Sequence, residues 1–273
     1  MKNADTLLVT MSDLHIGSVY ALTVGRIWQG QKTAEIHPTS AQVKIRTRFL
    51  KFAEEVKEAR KNKKVVFVAN GDLIDGDHHN SGDVFTTDML EMSDLAIEIL
   101  TEFKKLIGWA RGDELYITRG TDVHTKNLEN YIGRELGAVM DGDFHVHDLL
   151  KLSINGVSVW FVHHGPRLGM GANEGNGLRN WLRTIYIDSI KDGARQPDIL
   201  YSGHVHQPGY AVFETRDKMQ YKLMHAIITP SWQMKTRYAH MAAPVAKNKI
   251  GGVYQLITAD GLIGTPQFSV MET

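Results

Sequence analysis

The stretch Val65-Val66-Phe67-Val68-Ala69-Asn70-Gly71-Asp72 decides how the rest of the chain is read. Its first five residues are apolar, and all but Ala69 are β-branched or aromatic, so they predict a strand buried on both faces. Asn70-Gly71 breaks the run and leaves a carboxylate, Asp72, at the strand's carboxyl end. Ligands of open α/β sheets bind outside such ends. A single strand ending in Gly-Asp says little, because a loop Asp that caps the next turn is the commoner case. Repetition is what gives it weight.

Outward from that stretch, four more strands end in polar residues of the same kind. Leu7–Met11 closes in Ser12-Asp13-Leu14-His15, and Leu115–Thr118 in Arg119-Gly120-Thr121-Asp122-Val123-His124. Val157–Val162 closes in His163-His164-Gly165, and Ile199–Ser202 in Gly203-His204-Val205-His206. Between the first three strands the spacing predicts helices. One starts at Pro38-Thr39-Ser40, capped by Thr39 or Ser40, with the inward stripe Ile45, Phe49, Phe52 and Val56. A second runs from about Thr87 to Ile107, with Met89, Met92, Ala96, Ile99, Phe103 and Ile107 as core. A third passes through Tyr131 to Leu136. This alternation implies parallel pairing. The second half reads differently: a hairpin around Asn155-Gly156, a helix over 178–191, and strands near 210–214, 223–228, 253–257 and 265–270. Residues 17–37 have no period and read as a loop. The run Arg60-Lys61-Asn62-Lys63-Lys64 reads as a solvated helix end. With no linker or repeat, one domain over 1–273 is expected.

Composition narrows the function. Lysine plus arginine and aspartate plus glutamate both total 31, so no basic surplus points to nucleic acid. Without cysteine there is no disulfide framework and no thiolate metal site. The thirteen histidines are therefore the residues to follow. No segment has the length of a membrane span or the core of a signal peptide, which makes the cytoplasm the default expectation.

Five strand ends that bring aspartate and histidine to one rim offer oxygen and imidazole ligands in the number two divalent ions need. With Asp-x-His and Gly-His-x-His in this order and spacing, the region from Leu8 to His206 resembles the calcineurin-like metallophosphoesterases, binuclear enzymes that cleave phosphate esters. The resemblance implies a four-layer α/β sandwich of two mixed β-sheets flanked by helices. It implies that Asp13, His15 and His206 hold one metal, that Asp72 bridges, and that His164 and His204 hold the second. His164 is preferred over His163 because in the family the ligating histidine directly precedes Gly. Two divalent ions are expected, manganese first, with iron, zinc, nickel or magnesium as alternatives. Their joint charge would lower the pKa of a shared water that attacks phosphorus in line.

One motif departs from the family pattern. Where the family has Gly-Asn-His followed by Asp or Glu, this chain has Gly120-Thr121-Asp122-Val123-His124. Asp122 is the candidate replacement ligand or the residue that orients His124, a water in the asparagine's place is the alternative, and His124 is the candidate general acid. Asp75 is placed to orient a ligand histidine through its second ring nitrogen. Candidate substrate groups are His78, His79, Arg167 and Trp232, the last as a base-stacking ring or a packed aromatic, with Arg179 and Arg183 as further phosphate partners or exposed helix residues. His37, His225 and His240 sit in no motif and are left as structural.

The expected function is a metal-dependent phosphoesterase that hydrolyses phosphodiester or nucleotide-type esters. The alternatives are a nuclease acting on DNA or RNA ends, and a non-catalytic scaffold on the same fold. Expected partners are a small phosphoester or nucleotide, with nucleic acid and a homo-oligomer left open and no membrane.

Overall fold

Side-chain alternation along the strands sets the layers. In the computed structural model the described residues are 4–24, 37–76, 82–169, 173–217, 220–236 and 248–272. The elements in order are β1 (Thr6–Met11), α1 (Ser40–Arg60), β2 (Lys64–Asn70), α2 (Met89–Leu106), β3 (Glu114–Thr118), α3 (Asp122–Thr125) and α4 (Leu128–Leu136). They continue with β4 (Leu150–Ile154), β5 (Val157–Phe161), α5 (Asn176–Lys191), β6 (Ile199–Ser202), β7 (Gly209–Asp217), β8 (Gln220–Ile228), β9 (Lys249–Ile257) and β10 (Gln267–Glu272).

Two five-stranded mixed sheets result, ordered β10-β9-β1-β2-β3 and β4-β5-β6-β8-β7. β1, β2 and β3 pair in parallel, as the strand–helix alternation implies. Leu7, Val9, Met11, Val65, Phe67 and Ala69 point to α1, α2 and α4. Their neighbours Leu8, Val66 and Val68 point the other way, onto Val159, Phe161, Ile199 and Tyr201 of the second sheet. The quoted strand is therefore buried on both faces because each face has its own core. On the far side, α5 covers Leu200, Met224 and Ala226 through Leu178 and Leu182. The order of layers is helices, sheet, sheet, helix: an α/β sandwich of two mixed sheets flanked by helices.

Local chemistry explains the boundaries. Thr39 is the N-cap of α1; its hydroxyl accepts from Gln42 N at 3.1 Å while Gln42 Oε1 accepts from Thr39 N at 3.0 Å, a reciprocal cap. Asp88 caps α2 through Leu90 N and Glu91 N. Asn155 and Gly156 both take positive φ, 50° and 87°, as a two-residue hairpin turn with matched twist demands. The basic run after α1 differs from its expectation at its first residue. Arg60 is buried, donates to Ile107 O and Gly108 O, and pairs with Asp113 at 2.7 Å. Its guanidinium satisfies carbonyls at the end of α2, where a cation also suits the helix dipole. Of the loop expected over 17–37, residues 25–36 lie outside the described residues.

Candidate metal centre

All five polar strand ends meet at one rim, held together by main-chain bonds. Asp13 N donates to Gly71 O at 3.0 Å, His15 N to Asp72 O at 3.0 Å, and Gly203 N to His163 O at 2.9 Å. Trp232 N donates to Asp13 O at 2.9 Å, so the irregular stretch after β8 braces the first motif. His204 N donates to both oxygens of Asp13, at 3.0 and 3.1 Å. A side chain on Gly203 would collide with the Ser12 hydroxyl and the Asp13 carboxylate, and one on Gly120 with Asp72. Glycine stands at these two positions because backbone must reach the carboxylates.

The backbone is strained here. Asp13, His15, Asp72, His204 and His206 have φ of 53°, 46°, 51°, 69° and 55°. Left-handed conformations cost a non-glycine residue on the order of 1–2 kcal/mol each. They gather at sites where the surrounding structure enforces them for function. The turn they impose swings both side chains of Asp-x-His and of His-x-His into one space.

Four overlapping groups of side chains have ligand atoms within 4.8 Å of one another: Asp13, His15 and His206; Asp13, Asp72 and His163; His163, His164 and His204; and His15, Asp75 and His124. His15 Nε2 and His206 Nε2 face each other at 3.1 Å, and His206 Nε2 is 3.3 Å from Asp13 Oδ1. Ligands around a tetrahedral or octahedral ion at about 2.1 Å are themselves about 3.0–3.4 Å apart, so these atoms fit one coordination sphere. His163 Nε2 lies 2.9 Å from Asp72 Oδ2 and 4.0 Å from Asp13 Oδ1, yet is buried and off the line a hydrogen bond needs. A buried ring nitrogen beside two carboxylates and without a hydrogen bond fits a cation. The donor set of aspartate and histidine suits divalent ions of the transition series.

Electrostatics follow from the crowding. Burial works to raise the Asp13 pKa, but His163 and His206 outweigh it and bring it down to about 2. Burial likewise opposes ionisation of Asp72, and the contact with His163, with His15 and His124 nearby, holds that carboxyl far below its ordinary range. Burial disfavours charge on His163, but Asp13 and Asp72 push it up to about 9. His204 moves the other way, to about 4, through burial and repulsion from His163 and His164. His164 is lowered by burial and by His163.

The unusual motif resolves into three roles. Thr121 N donates to Asp72 Oδ1 at 2.6 Å, its hydroxyl to Oδ2 at 3.2 Å, and the same hydroxyl is 3.3 Å from His164 Nε2. Asp122, the expected replacement ligand, opens α3 with its side chain exposed and belongs to none of the metal-capable groups of described residues. His124 Nδ1 is 3.0 Å from Asp75 Oδ1, which also lies 3.5 Å from His15 Nδ1, while Asp75 Oδ2 accepts from Gln233 Nε2 at 3.1 Å. Asp75 Oδ1 thus bonds His124 through Nδ1 and lies near His15 Nδ1 without a hydrogen bond to it, so it stands behind two rings of the rim. Burial opposes charge on His124, but the bond to Asp75 and the charges of Asp72, Asp75 and Asp13 raise its pKa overall.

The remaining expectations fare unevenly. The structure brings both His163 and His164 to the site, with the closer carboxylate contact on His163. Trp232 is no stacking platform: it is fully buried and packs on Phe49 and Phe52 beneath β1. Of the two readings the sequence left for it, the packed aromatic is the one the structure shows; that its stretch braces the Asp13 motif was not readable. Arg167, Arg179 and Arg183 are exposed. His78, His79 and His240 lie outside the described residues. Glu129 was missed. It is buried on α4, accepts from Gly120 N at 2.7 Å and Leu73 N at 3.5 Å, and so ties the loop after β3 to the loop after β2. Burial pushes it up to about 7.

No family model matches the chain, and no curated protein matches it. Solved structures do align over nearly its whole length. A metallophosphoesterase from Sphaerobacter thermophilus is 11% identical, covering 97% of this chain and 88% of its own, with a TM-score of 0.35. An uncharacterized protein of Streptococcus pneumoniae TIGR4, described as a predicted phosphoesterase, is 10% identical over 98% and 99%, with a TM-score of 0.31. A 5'-nucleotidase from Candida albicans is 10% identical, covering 97% of this chain and 51% of its own, with a TM-score of 0.38. At such values the functional case rests on the side chains themselves. None of the described helices is long and apolar enough to cross a membrane.

Proposed function

We propose that this chain is a metal-dependent phosphoric ester hydrolase using two divalent ions, acting on phosphodiester or nucleotide-type esters. The observation that supports it is the rim of Asp13, His15, Asp72, His163, His164, His204 and His206, whose ligand atoms form three contiguous groups joined through Asp13 and His163. Asp13, His15 and His206 would hold one ion, His163, His164 and His204 the other, with Asp72 set to reach both. Bound divalent ions there would supply positive charge for the phosphoryl oxygens and an acidified water as nucleophile.

The chain's own groups do the rest. Asp72 is fixed by the N–H and hydroxyl of Thr121, so it need not reorganise as charge develops. His124, oriented through Nδ1 by Asp75, holds a proton on Nε2 for the leaving oxygen; its raised pKa favours that protonated form. Manganese is the preferred metal of this reading, and a small phosphoester or nucleotide the preferred substrate. The rival is a non-catalytic scaffold, which need not retain two ions.

The test combines metal content and turnover. Protein reconstituted with Mn should hold close to two ions per chain and hydrolyse bis-p-nitrophenyl phosphate, a cyclic nucleotide or single-stranded DNA. A chain that stays empty after reconstitution would falsify the proposal. One that binds two ions but hydrolyses no ester would leave the scaffold.

A further inference from the structure

Beneath the metal rim lies a residue that none of the roles above uses. Asn70, the last residue of β2, is fully buried, and its polar groups other than the main-chain N–H reach the ends of three other strands. Its carbonyl oxygen lies 2.8 Å from His163 Nδ1 and accepts from the Ser12 hydroxyl at 2.7 Å. Its side-chain Oδ1 accepts from the Thr118 hydroxyl at 2.7 Å, and its Nδ2 donates to Val162 O at 3.1 Å. One asparagine therefore joins the ends of β1, β2 and β3 in the first sheet to the segment leaving β5 in the second. Its amide orientation is unambiguous, because a hydroxyl donor faces Oδ1 and a carbonyl faces Nδ2.

The consequence falls on His163. A carbonyl can only accept, so the ring nitrogen facing Asn70 O must be the protonated one. That assigns the Nδ1–H tautomer to neutral His163 and leaves Nε2 with its lone pair, 2.9 Å from Asp72. The side-chain amide grips Val162, the residue immediately before, so two consecutive residues are pinned by one side chain and its own backbone. We propose that Asn70 is a positioning residue that locks the tautomer and direction of His163 and thereby sets the affinity of one of the two ions. The inference rests on the two-ion reading above. A hydrogen bond that fixes a ligand histidine through its other nitrogen typically changes metal affinity by about 10–100-fold when lost.

Because Asn70→Asp would set a third carboxylate beside Asp13 and Asp72 and endanger the fold, the decisive pair is Thr118→Val and Thr118→Ser. Valine keeps the shape of threonine and removes the hydroxyl that orients the Asn70 amide; serine keeps the hydroxyl and removes the methyl. Zinc affinity of the full chain is measured by competition with a chromophoric chelator, and the His163 ring is followed in the zinc-loaded protein by nitrogen-15 NMR. The expected result is two zinc equivalents in the wild type. One of them weakens by about 10–100-fold in Thr118→Val with a shifted His163 Nδ1–H signal, and both are nearly unchanged in Thr118→Ser. A role in packing alone predicts the reverse order, with serine the worse variant, and would overturn the inference. So would equal weakening of both equivalents, or a valine variant that binds like the wild type. A wild type that takes up no zinc would sink the two-ion reading itself, which separates that failure from this one.

Discussion

The two halves of the metal rim are built differently. Asp13, His15 and His206 combine a fully buried carboxylate, a buried imidazole and a half-buried one, with Asp75 behind His15. His163, His164 and His204 are all imidazole, and the last two are exposed. The first group brings its own carboxylate and little freedom; the second has no carboxylate of its own, and two of its three rings are open. His164 and His204, with lowered pKa values, need shed no proton at neutral pH to bind a metal, whereas His163 must. On the two-ion reading proposed above, such a rim would hold one ion tightly and one more loosely, with Asp72 as the member shared between them.

Removing the shared member should therefore have the largest effect. Asp72→Asn takes charge from both groups and leaves His163 facing a neutral amide. Loss of transition-state charge stabilisation worth several kcal/mol corresponds to roughly a thousandfold or more in kcat. Metal content should fall at both positions, while His206→Ala should spare the second ion in part. Two retained ions and near-normal turnover in Asp72→Asn would remove the bridge from the comparison.

The next effect would separate the proposed ions from the proposed proton donor, His124, beside the first group. His124→Ala should slow an alkyl or nucleoside ester by about 10²–10⁴-fold and barely touch a p-nitrophenyl ester, whose leaving group needs little protonation. Metal content should not change. Equal losses on both substrates would make His124 a phosphate binder, and a lost ion would make it a ligand.

How much of this was legible in sequence depends on the range of the contact. Buried strands announce themselves through short-range pattern, so β1, β2, β3, β5 and β6 and their polar ends were readable, and with them Asp13, His15, Asp72, His204 and His206 as candidates. His163 was less legible than His164, which directly precedes Gly165; its place at the rim depends on contacts distant in sequence, to Asp72 and to the carbonyl of Asn70. Asp122 was plausible by type, but it begins a four-residue helix that turns it outward and leaves Thr121 facing Asp72. Arg60 shows the same limit from the other side: a cation at a helix end does not reveal whether it faces water. Glu129 gave no signal at all, since an acid on an amphipathic helix reads as solvated until Gly120 and Leu73 are found above it.

Glu129 supplies a smaller effect, on stability. Its carboxyl titrates near 7 in the fold, largely through burial, against about 4.5 ordinarily. A raised folded-state pKa means the folded chain binds the extra proton between those values. The contribution is therefore complete below pH 4.5 and is lost as pH rises through 7. The size is on the order of 3 kcal/mol. In the metal-free chain, denaturant unfolding at pH 5 and pH 8 should show a drop that is smaller by about this amount in Glu129→Gln, since glutamine stays neutral and can still accept from Gly120 N. Parallel pH profiles of the two chains would mean that Glu129 is ionised in the fold and that its neighbours already compensate the charge.

The smallest effect would sharpen the contrast between the two groups. One oxygen that faces the histidine-only group is the Thr121 hydroxyl, 3.3 Å from His164 Nε2. A hydroxyl is a weaker ligand for a divalent ion than an amide carbonyl, and the related motif carries asparagine at this place. Thr121→Asn should keep its main-chain bond to Asp72, which uses only N–H, and offer a carbonyl to the looser ion. The expected gain is up to about tenfold in that ion's affinity, about 1.4 kcal/mol, with the tighter ion unchanged. Stepwise chelation would read it directly: the weaker phase moves to higher chelator concentration and the two phases approach each other. If the weaker phase instead moved to lower concentration, the hydroxyl's bond to Asp72 would matter more than any ligand in its place, and the two halves of the rim would be coupled through Thr121 as well as through Asp72.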